Sequence, residues 1–453
     1  MRQLRAFQIV AFVVVTLTYA YVHLYVDFDF PRELVRITGV TVNGTVGDQN
    51  GSIDASAREA TDENTPRALN EPLAPSSDLC EELVRISSDH RRVIELLTRA
   101  QFPSALSPTD YDDSSIALQP ASSVEFECDA GKALDEPRNI VDVFLFGGGE
   151  VDTLEIRLYE LHPVVDKFIA VTSNVTHKGE ATFDALESLL QTARFESFRD
   201  KVEIFKHAQA GAAAPNGVNF QFEAEKESAI ARELAKRYDE STLVIFGHVD
   251  EIPAREDVWK AARCETALPG NFGIWFPYGN LNFAFRSDFP ARNMPWTLGD
   301  PGVTVANRLD QMRLPRGRME HVLGRGFHAT NYCFPPQYIL KLMTATEYSG
   351  FDDFIGNIKS GTNKTCEETM QELRLFCLNH PVRAHGARMR RVEELVKAGE
   401  NAEQFYTPLA LRLSNMTRYP SWDPTGQAID QRATILPGAV SYTHLTLPTI
   451  LLV

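Results

Sequence analysis

Mainly apolar runs alternate with amphipathic segments through the middle of the chain. The apolar runs predict β-strands, and the helical periodicity between them predicts helices that bury one face. Strands that alternate with helices predict βαβ units, and hence an α/β fold with a largely parallel central sheet. The predicted strands are residues 141–146, 168–171, 202–205 and 243–246, and the helices carry Leu154, Leu158, Leu161 and Val165, then Ile230, Leu234 and Tyr238, on their apolar faces.

Acidic residues follow the last of these runs directly. Residues 243–246 are four consecutive apolar positions, which favours a strand buried on both faces, and Asp250 and Glu251 stand where that strand ends. Ligands of open α/β sheets bind beyond the carboxyl ends of the strands. A carboxylate there can hold Mg²⁺ or Mn²⁺ against a nucleotide diphosphate. The alternative is that Asp250 only closes a turn before a helix predicted at residues 254–262.

The N-terminal residues have a different pattern. Arg2 and Arg5 precede residues 7–26, which carry no formal charge unless His23 is protonated. This length predicts a membrane-spanning signal anchor, with residues 1–6 cytosolic and the remainder luminal because the basic residues lie on one side only. A cleaved signal peptide is the alternative, although the run is long and lacks a clear small-x-small site.

Composition divides the rest of the chain. Residues 27–135 are predicted to be a luminal stem, polar and flexible over residues 40–78, with a short amphipathic helix between 80 and 102 that packs on the body or on a second copy. If the helix packs on a second copy, the protein would be a homodimer through the anchor or stem. Residues 136–425 form the predicted body, whose aromatic and proline-rich half after residue 265 is expected to build irregular segments over the sheet. The tail is residues 426–453, and from about residue 441 it resembles a translated sequencing adapter rather than native protein. A genuine apolar C-terminal strand is the alternative.

Charge and cysteine usage narrow the classes of partner. The net charge of −16 argues against nucleic acid, since a phosphate backbone is bound by clustered Lys and Arg. Six cysteines show no zinc-like spacing, and in an oxidising lumen they predict up to three disulfides of undetermined pairing. Five sequons match the N-glycosylation pattern, at Asn43, Asn50, Asn174, Asn363 and Asn415.

Four blocks in the same order, across roughly residues 136–425, resemble glycosyltransferase family 17. They are residues 138–179, Asp250-Glu-Ile-Pro, Gly326-Phe-His with residues 332–342, and Tyr406-Thr-Pro leading to Arg418-Tyr. The resemblance implies a single GT-A-like nucleotide-sugar-binding domain, a divalent metal for which Mn²⁺ is the expected ion, and an inverting transfer. It implies UDP-N-acetylglucosamine as donor and a glycoprotein N-glycan as acceptor, with the β-1,4 bisecting position on mannose as the family's typical linkage. Together with the predicted anchor at residues 7–26, it leads us to expect a type II, single-pass Golgi membrane protein with a luminal catalytic domain.

One residue departs from the family pattern. Family members usually carry an acidic residue where this chain has His248. Imidazole can ligate Mn²⁺ or bind a ribose hydroxyl, but it supplies no negative charge. A catalytically weakened, luminal glycan-binding protein on a transferase fold is therefore the second hypothesis. A hydrolase is a weaker third, because no pattern specifies paired carboxylates across a scissile bond.

The acidic strand end supplies the candidates for metal binding and catalysis. Asp250 is the predicted metal ligand, with His328 of the Gly-Phe-His block as a second ligand or as a structural histidine. Glu251 points away from Asp250 if the backbone stays extended, so we expect it to act as the base or to bind an acceptor hydroxyl. A surface turn residue is the alternative for Glu251.

Donor binding is predicted at the first strand-to-helix junction and at one basic run. Asp152 stands where a dinucleotide motif would need its third glycine, and with Glu155 it also matches a helix capping box. The run at residues 313–325 could neutralise a diphosphate, although a solvated loop would also explain it. Two further residues of the first block, Asn174 and Lys178, are expected to contact the acceptor or hold a turn. The donor-binding candidates are Glu150, Asp152, Arg157, His248, Arg316 and Arg318.

Overall fold

The computed structural model describes part of the chain, all of it within the compact unit Arg67–Val453. The predicted anchor at residues 7–26 lies outside the described residues, as do Lys178, Arg316 and Arg318. Among the helices described, none has both the length and the apolar composition that a membrane span requires. The described residues are 77–99, 118, 120–128, 132–177, 179, 182, 185–209, 220–278, 280–287, 290–291, 294–313, 321–329, 335–344, 368 and 389–413.

The four predicted strands are present and form one half of a central sheet. They pair in parallel in the order β3-β2-β1-β4, which confirms the α/β fold and the parallel arrangement of this half. Apolar side chains of these strands enter two core clusters on opposite faces of the sheet, so β1 and β4 are almost entirely buried. The strands are β1 Asn139–Leu145, β2 Lys167–Ser173, β3 Val202–His207 and β4 Thr242–His248.

Nine helices cover the sheet and its margins in the described part of the chain. Those that follow β1 and β3 are the two predicted from periodicity, and all eleven residues of the first of them are buried. They are α1 Ser77–Ile86, α2 His90–Arg99, α3 Val151–Leu161, α4 Leu186–Leu190, α5 Phe220–Arg237, α6 Arg255–Arg263, α7 Pro335–Thr344, α8 Val392–Lys397 and α9 Leu409–Leu413. Short 3-10 helices lie at Ala121–Ser123, Ala193–Lys201, Ala306–Arg313 and Ala402–Gln404.

The half after residue 265 differs from the expectation of irregular segments over the sheet. Its strands continue the same sheet beyond β4, in the order β4-β10-β6-β11-β5, with β10 antiparallel to both neighbours. For these described strands the expectation was wrong, because β6 is buried at every position and so shows no polar alternation. The strands are β5 Glu251–Pro253, β6 Gly270–Trp275, β7 Pro277–Tyr278, β8 Asn280–Phe285, β9 Pro290–Ala291, β10 Met294–Val305, β11 Val322–His328 and β12 Met389–Arg391. β7, β8 and β12 form a separate small sheet, and β9 pairs with β10.

The amphipathic segment predicted in the stem forms two helices rather than one. The chain breaks after Ile86 because Asp89 caps α2, accepting a hydrogen bond from the Arg92 backbone N–H at 3.2 Å. The apolar faces are fully buried at Leu83 and Leu97, and α2 packs against α7. This part of the predicted stem therefore packs on the body.

A disulfide ties the segment before β1 to the end of α6. Cys128 and Cys264 are bonded, with Cα atoms 5.7 Å apart, and Ala133 forms a β-bridge with Cys264. The same segment places Phe126 edge-on against Trp259 of α6, with ring centroids 6.3 Å apart. This is one of the disulfides that the cysteine count predicted.

Candidate functional site at the carboxyl ends of β1 and β4

The strand order reverses between β1 and β4. The chain leaves β1 toward β2 and β3 on one side, then crosses from β3 to β4 on the other side of β1. Leu145 pairs with His248 at the end of the two strands, and the Val249 N–H donates to the Leu145 carbonyl at 3.0 Å. In open α/β sheets, ligands bind outside the carboxyl ends of the strands at such a reversal. The residues that follow β1 and β4 therefore form the candidate site.

Arg157 braces the turn after β4 from inside the protein. Its Nε and Nη2 bind the Asp142 carboxylate at 2.8 and 2.6 Å, and its Nη1 donates to the carbonyls of His248 and Glu251 at 2.8 and 2.6 Å. The side chains of Arg157 and Asp142 are 0% exposed. The predicted direct contact of Arg157 with a donor does not fit this burial, so Arg157 acts on the site through the turn.

The Asp152 side chain also forms a buried ion pair within the protein. Helix α3 begins at Val151 with Glu150 as its N-cap, so the predicted capping box, with Asp152 as the cap, was wrong. Asp152 lies 2.7 Å from Nη2 of Arg194, which Glu155 also binds, and all three side chains are almost fully buried. A donor contact by Asp152 does not fit this geometry.

Two carboxylates and one ammonium meet at the switch point. Asp250 is 6% exposed, and its Oδ2 lies 3.6 Å from Nζ of Lys341 on α7. Burial, followed by the charge of Asp250, raises the pKa of the half-buried Glu150 to about 7, while Lys341 and His248 act in the opposite direction. Burial disfavours the charged form of Glu150, and the neighbouring Asp250 carboxylate adds to this effect.

A glycine allows α7 to approach this cluster. A Cβ on Gly149 would lie 1.7 Å from Cδ2 of Leu340, so only a residue without a side chain fits at this contact. Leu340 precedes Lys341 on α7 and is itself buried. The close packing of Gly149 on Leu340 therefore helps to position Lys341 beside Asp250.

Glu251 folds back onto its own turn. The His248 N–H donates to Oε2 of Glu251 at 2.9 Å, and Glu251 is only 2% exposed. Gly247 makes room for this contact, since a Cβ there would lie 2.6 Å from the same oxygen. Glu251 is therefore placed to hold His248, whereas the base predicted from the sequence would have to reach an acceptor hydroxyl.

His328 reaches the strand end from the second half of the chain. It is the register partner of Glu251 in the antiparallel pair β11 and β5, and the Ala329 N–H donates to the Asp250 carbonyl at 2.7 Å. Its ring is buried and lies against Phe276, with centroids 4.6 Å apart. The sequence block at 326–328 thus meets the block at 250–253, and a ligand role for His328 stays a prediction.

The side chain of His248 faces the first turns of α5. Its Nε2 lies 3.1 Å from Oε1 of Glu223, and ligand atoms of Glu223, Glu227 and His248 all lie within 4.8 Å of one another. Lys226, between the two glutamates, contacts Nε2 of His177 at 3.3 Å. Burial, followed by the Lys226 charge, lowers the pKa of His177 to about 4. Glu223 and Glu227 were not predicted from the sequence. The pattern that could have indicated them is an acidic pair four residues apart at the start of the helix before β4.

Asn174 holds a turn, one of the two roles expected for it. Its Oδ1 accepts a hydrogen bond from the Gln209 N–H at 2.8 Å, which joins the chain after β2 to the chain after β3. The residue is exposed.

The donor set at the switch point suits a divalent cation. Asp250 offers carboxylate oxygens of the kind that hard dications prefer. Burial first, and then the charge of Asp250, raise the pKa of Glu150. A dication held by Asp250 would offset the negative charge at this strand end, as Lys341 does in part. The side chains present therefore fit the predicted metal.

The fold and this site define an α/β domain that gathers acidic side chains at the switch point of its sheet, which is consistent with a GT-A-like domain. Residues 111–296 match the family model of glycosyltransferase family 17. The match agrees with the family resemblance of the sequence blocks, and that family supports glycosyl transfer as the class of activity. The two later blocks, from residue 326 onward, lie beyond the matched residues. No curated protein matches the chain.

Proposed function

We propose that this protein is an inverting transferase that moves N-acetylglucosamine from UDP-N-acetylglucosamine to a protein-linked glycan. The β-1,4 bisecting position on mannose of N-glycans is the first acceptor to test. The observation that carries the proposal is the position of Asp250, 3.6 Å from Lys341, at the switch point of a domain whose residues match a glycosyltransferase family. A nucleotide-sugar donor and a glycan acceptor are the substrates that such a family implies.

Inverting transfer needs positive charge at the departing diphosphate and a base at the acceptor hydroxyl. A bound Mn²⁺ would supply positive charge to the diphosphate, and Asp250 would hold it. Lys341 lies 3.6 Å from Asp250 and adds a cation that can bind phosphate oxygens. Glu150 suits the base better than Glu251, because Glu150 is partly exposed whereas Glu251 is only 2% exposed.

We also propose that the protein is a type II Golgi membrane protein with a luminal body. The support is the uncharged run at residues 7–26 after Arg2 and Arg5, together with the Cys128–Cys264 disulfide, since disulfides persist in oxidising compartments. In sealed vesicles, added protease should spare the body until detergent is added. Digestion of residues 136–425 in intact vesicles would contradict this topology.

The activity is tested with the purified full-length chain, labelled UDP-sugars and a panel of N-glycopeptides, with Mn²⁺ or with a chelator. We expect label transfer from UDP-N-acetylglucosamine only, abolished by the chelator, with the new linkage identified by NMR of the product. Transfer from another UDP-sugar would correct the donor. A product with another linkage would correct the acceptor.

A glycan-binding protein without turnover is the second candidate. It is favoured by His248, where the family usually has an acidic residue, and by the neutralisation of Asp250 by Lys341. Binding of N-glycans with no transfer from any donor or metal would select it.

A further inference from the structure

Three potential ligands converge beside the switch point, and two of them come from α5. Glu223 and Glu227 are four residues apart on this helix, so their side chains lie on the same face. His248 approaches from the end of β4, with Nε2 3.1 Å from Glu223. The side chains of Glu223 and His248 are 18% and 25% exposed, so an ion can enter from solvent.

The separations suit a common coordination sphere. Zinc holds oxygen and nitrogen ligands at about 2.0–2.2 Å in a tetrahedral arrangement, so the ligand atoms around one ion are about 3.4 Å apart. The three ligand atoms lie within 4.8 Å of one another, and small side-chain rotations would bring them into that sphere.

His248 is held in place before any ion binds. Glu251 accepts its N–H at 2.9 Å, and Arg157 binds its carbonyl at 2.8 Å. On the far side of the ring, Nδ1 faces Oε1 of Glu251 at 3.9 Å. A carboxylate behind a ligating histidine orients the ring and raises its basicity in known metal sites. The two backbone contacts of His248 therefore fix the position from which its ring reaches Glu223.

The local charges also favour a cation. Glu223 and Glu227 are like charges at a helical spacing that destabilises a helix unless they are compensated. Lys226 interacts electrostatically with both carboxylates, and it also contacts Nε2 of His177 at 3.3 Å. The other titratable groups that face His248 and this cluster are His177, Glu150 and Glu251.

We propose that Glu223, Glu227 and His248 form a transition-metal site that binds Mn²⁺ or Zn²⁺ without a donor nucleotide, separately from Asp250. Because one ligand is an imidazole, the site should favour these ions over Mg²⁺ and Ca²⁺, which prefer oxygen ligands only. This inference goes beyond the proposed transfer, since it requires neither donor binding nor turnover.

The test uses the full-length chain, stripped of metal by a chelator and titrated with Mn²⁺ or Zn²⁺ alone in equilibrium dialysis. We expect one tight equivalent per chain, and we expect Glu227→Gln and His248→Asn each to weaken it by about tenfold or more, since even residues behind a ligand can matter that much. The matched control is Glu225→Gln, on the same helix between the two ligands, whose carboxylate instead binds Gln209 and Gln221. It should leave the affinity unchanged, and so should Asp250→Asn.

A second measurement does not depend on the folding of any variant. Pulsed EPR of Mn²⁺ bound to the wild-type chain should show coupling to an imidazole ¹⁴N nucleus. Mn²⁺ that binds without nitrogen coupling, or equally well to Glu227→Gln, would overturn the site. Failure of glycosyl transfer alone would not contradict this metal site. Loss of the bound metal in Asp250→Asn would show that Asp250 belongs to the same site, and would contradict the proposal.

Discussion

Arg157 and Asp142 form a bidentate ion pair within the core, and the same guanidinium binds the carbonyls of His248 and Glu251. The pair joins α3 to β1 and, through the carbonyls, to the turn that carries Asp250. The Arg157–Asp142 pair therefore holds the end of β4, which carries the candidate site.

We expect Arg157→Met to lower the free energy of unfolding by about 3–5 kcal/mol, because it leaves the Asp142 carboxylate buried without a partner. Urea denaturation followed by tryptophan fluorescence measures the change. Adding Asp142→Leu should restore part of the loss, since both charges are then gone. Arg237→Ala, which breaks partly exposed pairs with Glu233 and Glu203, is the control and should have a small effect. A wild-type stability in Arg157→Met would show that the brace is dispensable.

Gly149→Ala should force α7 away from the first strand-to-helix junction. The new methyl carbon would lie 1.7 Å from Cδ2 of Leu340, and overpacking of this kind costs about 1–3 kcal/mol. Leu340→Ala removes the clashing atoms, so the double variant should be more stable than the sum of the two single changes predicts. Strictly additive losses in chemical denaturation would mean that this contact does not position α7.

The sequence predicted those parts of the site that lie along one strand. Residues 243–246 and the acids that follow them are adjacent in the chain, so periodicity and the strand-end rule place them together. Lys341 and Glu223 come from distant segments and reach the site only through packing of α7 and α5. Local patterns carry no measure of that packing.

Burial of α3 explains why the donor contacts predicted for Arg157 and Asp152 do not fit the structure. Their position at the first strand-to-helix junction was predicted, but periodicity implied that α3 buries one face only. In the structure every residue of α3 is buried, so its charged side chains serve as partners for Asp142 and Arg194. A helix that is enclosed on all sides cannot be recognised from its apolar stripe alone.

Peptide mapping under non-reducing conditions should recover Cys128 linked to Cys264. The bond closes a loop with a sequence separation of 136, and removal of such a native disulfide costs about 2–5 kcal/mol. We therefore expect Cys128→Ser and Cys264→Ser to lower the unfolding midpoint by similar amounts, with no further loss in the double variant. Linkage of either cysteine to a third one would contradict the assignment.

Glu150 should make the stability of the metal-free protein depend on pH. Burial and the charge of Asp250 raise the pKa of Glu150 from 4.5 to about 7 on folding. Between these values the folded chain holds more protons than the unfolded chain, so this group lowers the free energy of unfolding as the pH rises. Glu150→Gln should gain stability over the wild type across that window and keep a constant gain above it.

The pH effect of Glu150 is checked by urea denaturation of wild type and variant at several pH values with a chelator present. Asp250→Asn should shrink the difference, because the Asp250 charge is the second cause of the shift. A difference that stays flat with pH would show that Glu150 titrates normally in the folded chain.

Asp250→Asn should abolish metal-dependent donor binding and reduce turnover by about 10²-fold or more, because the amide keeps the shape but lacks the charge that holds a dication at the diphosphate. The fold should survive, since losing one of two repelling carboxylates relieves Glu150 even as Lys341 loses its partner. Transfer assays and calorimetric titration of UDP with and without Mn²⁺ measure the effect. Asp239→Asn, an exposed change just before the opposite end of β4, is the matched control and should behave as wild type. Near-normal turnover and Mn²⁺-dependent UDP binding in Asp250→Asn would move the donor's metal away from this strand end.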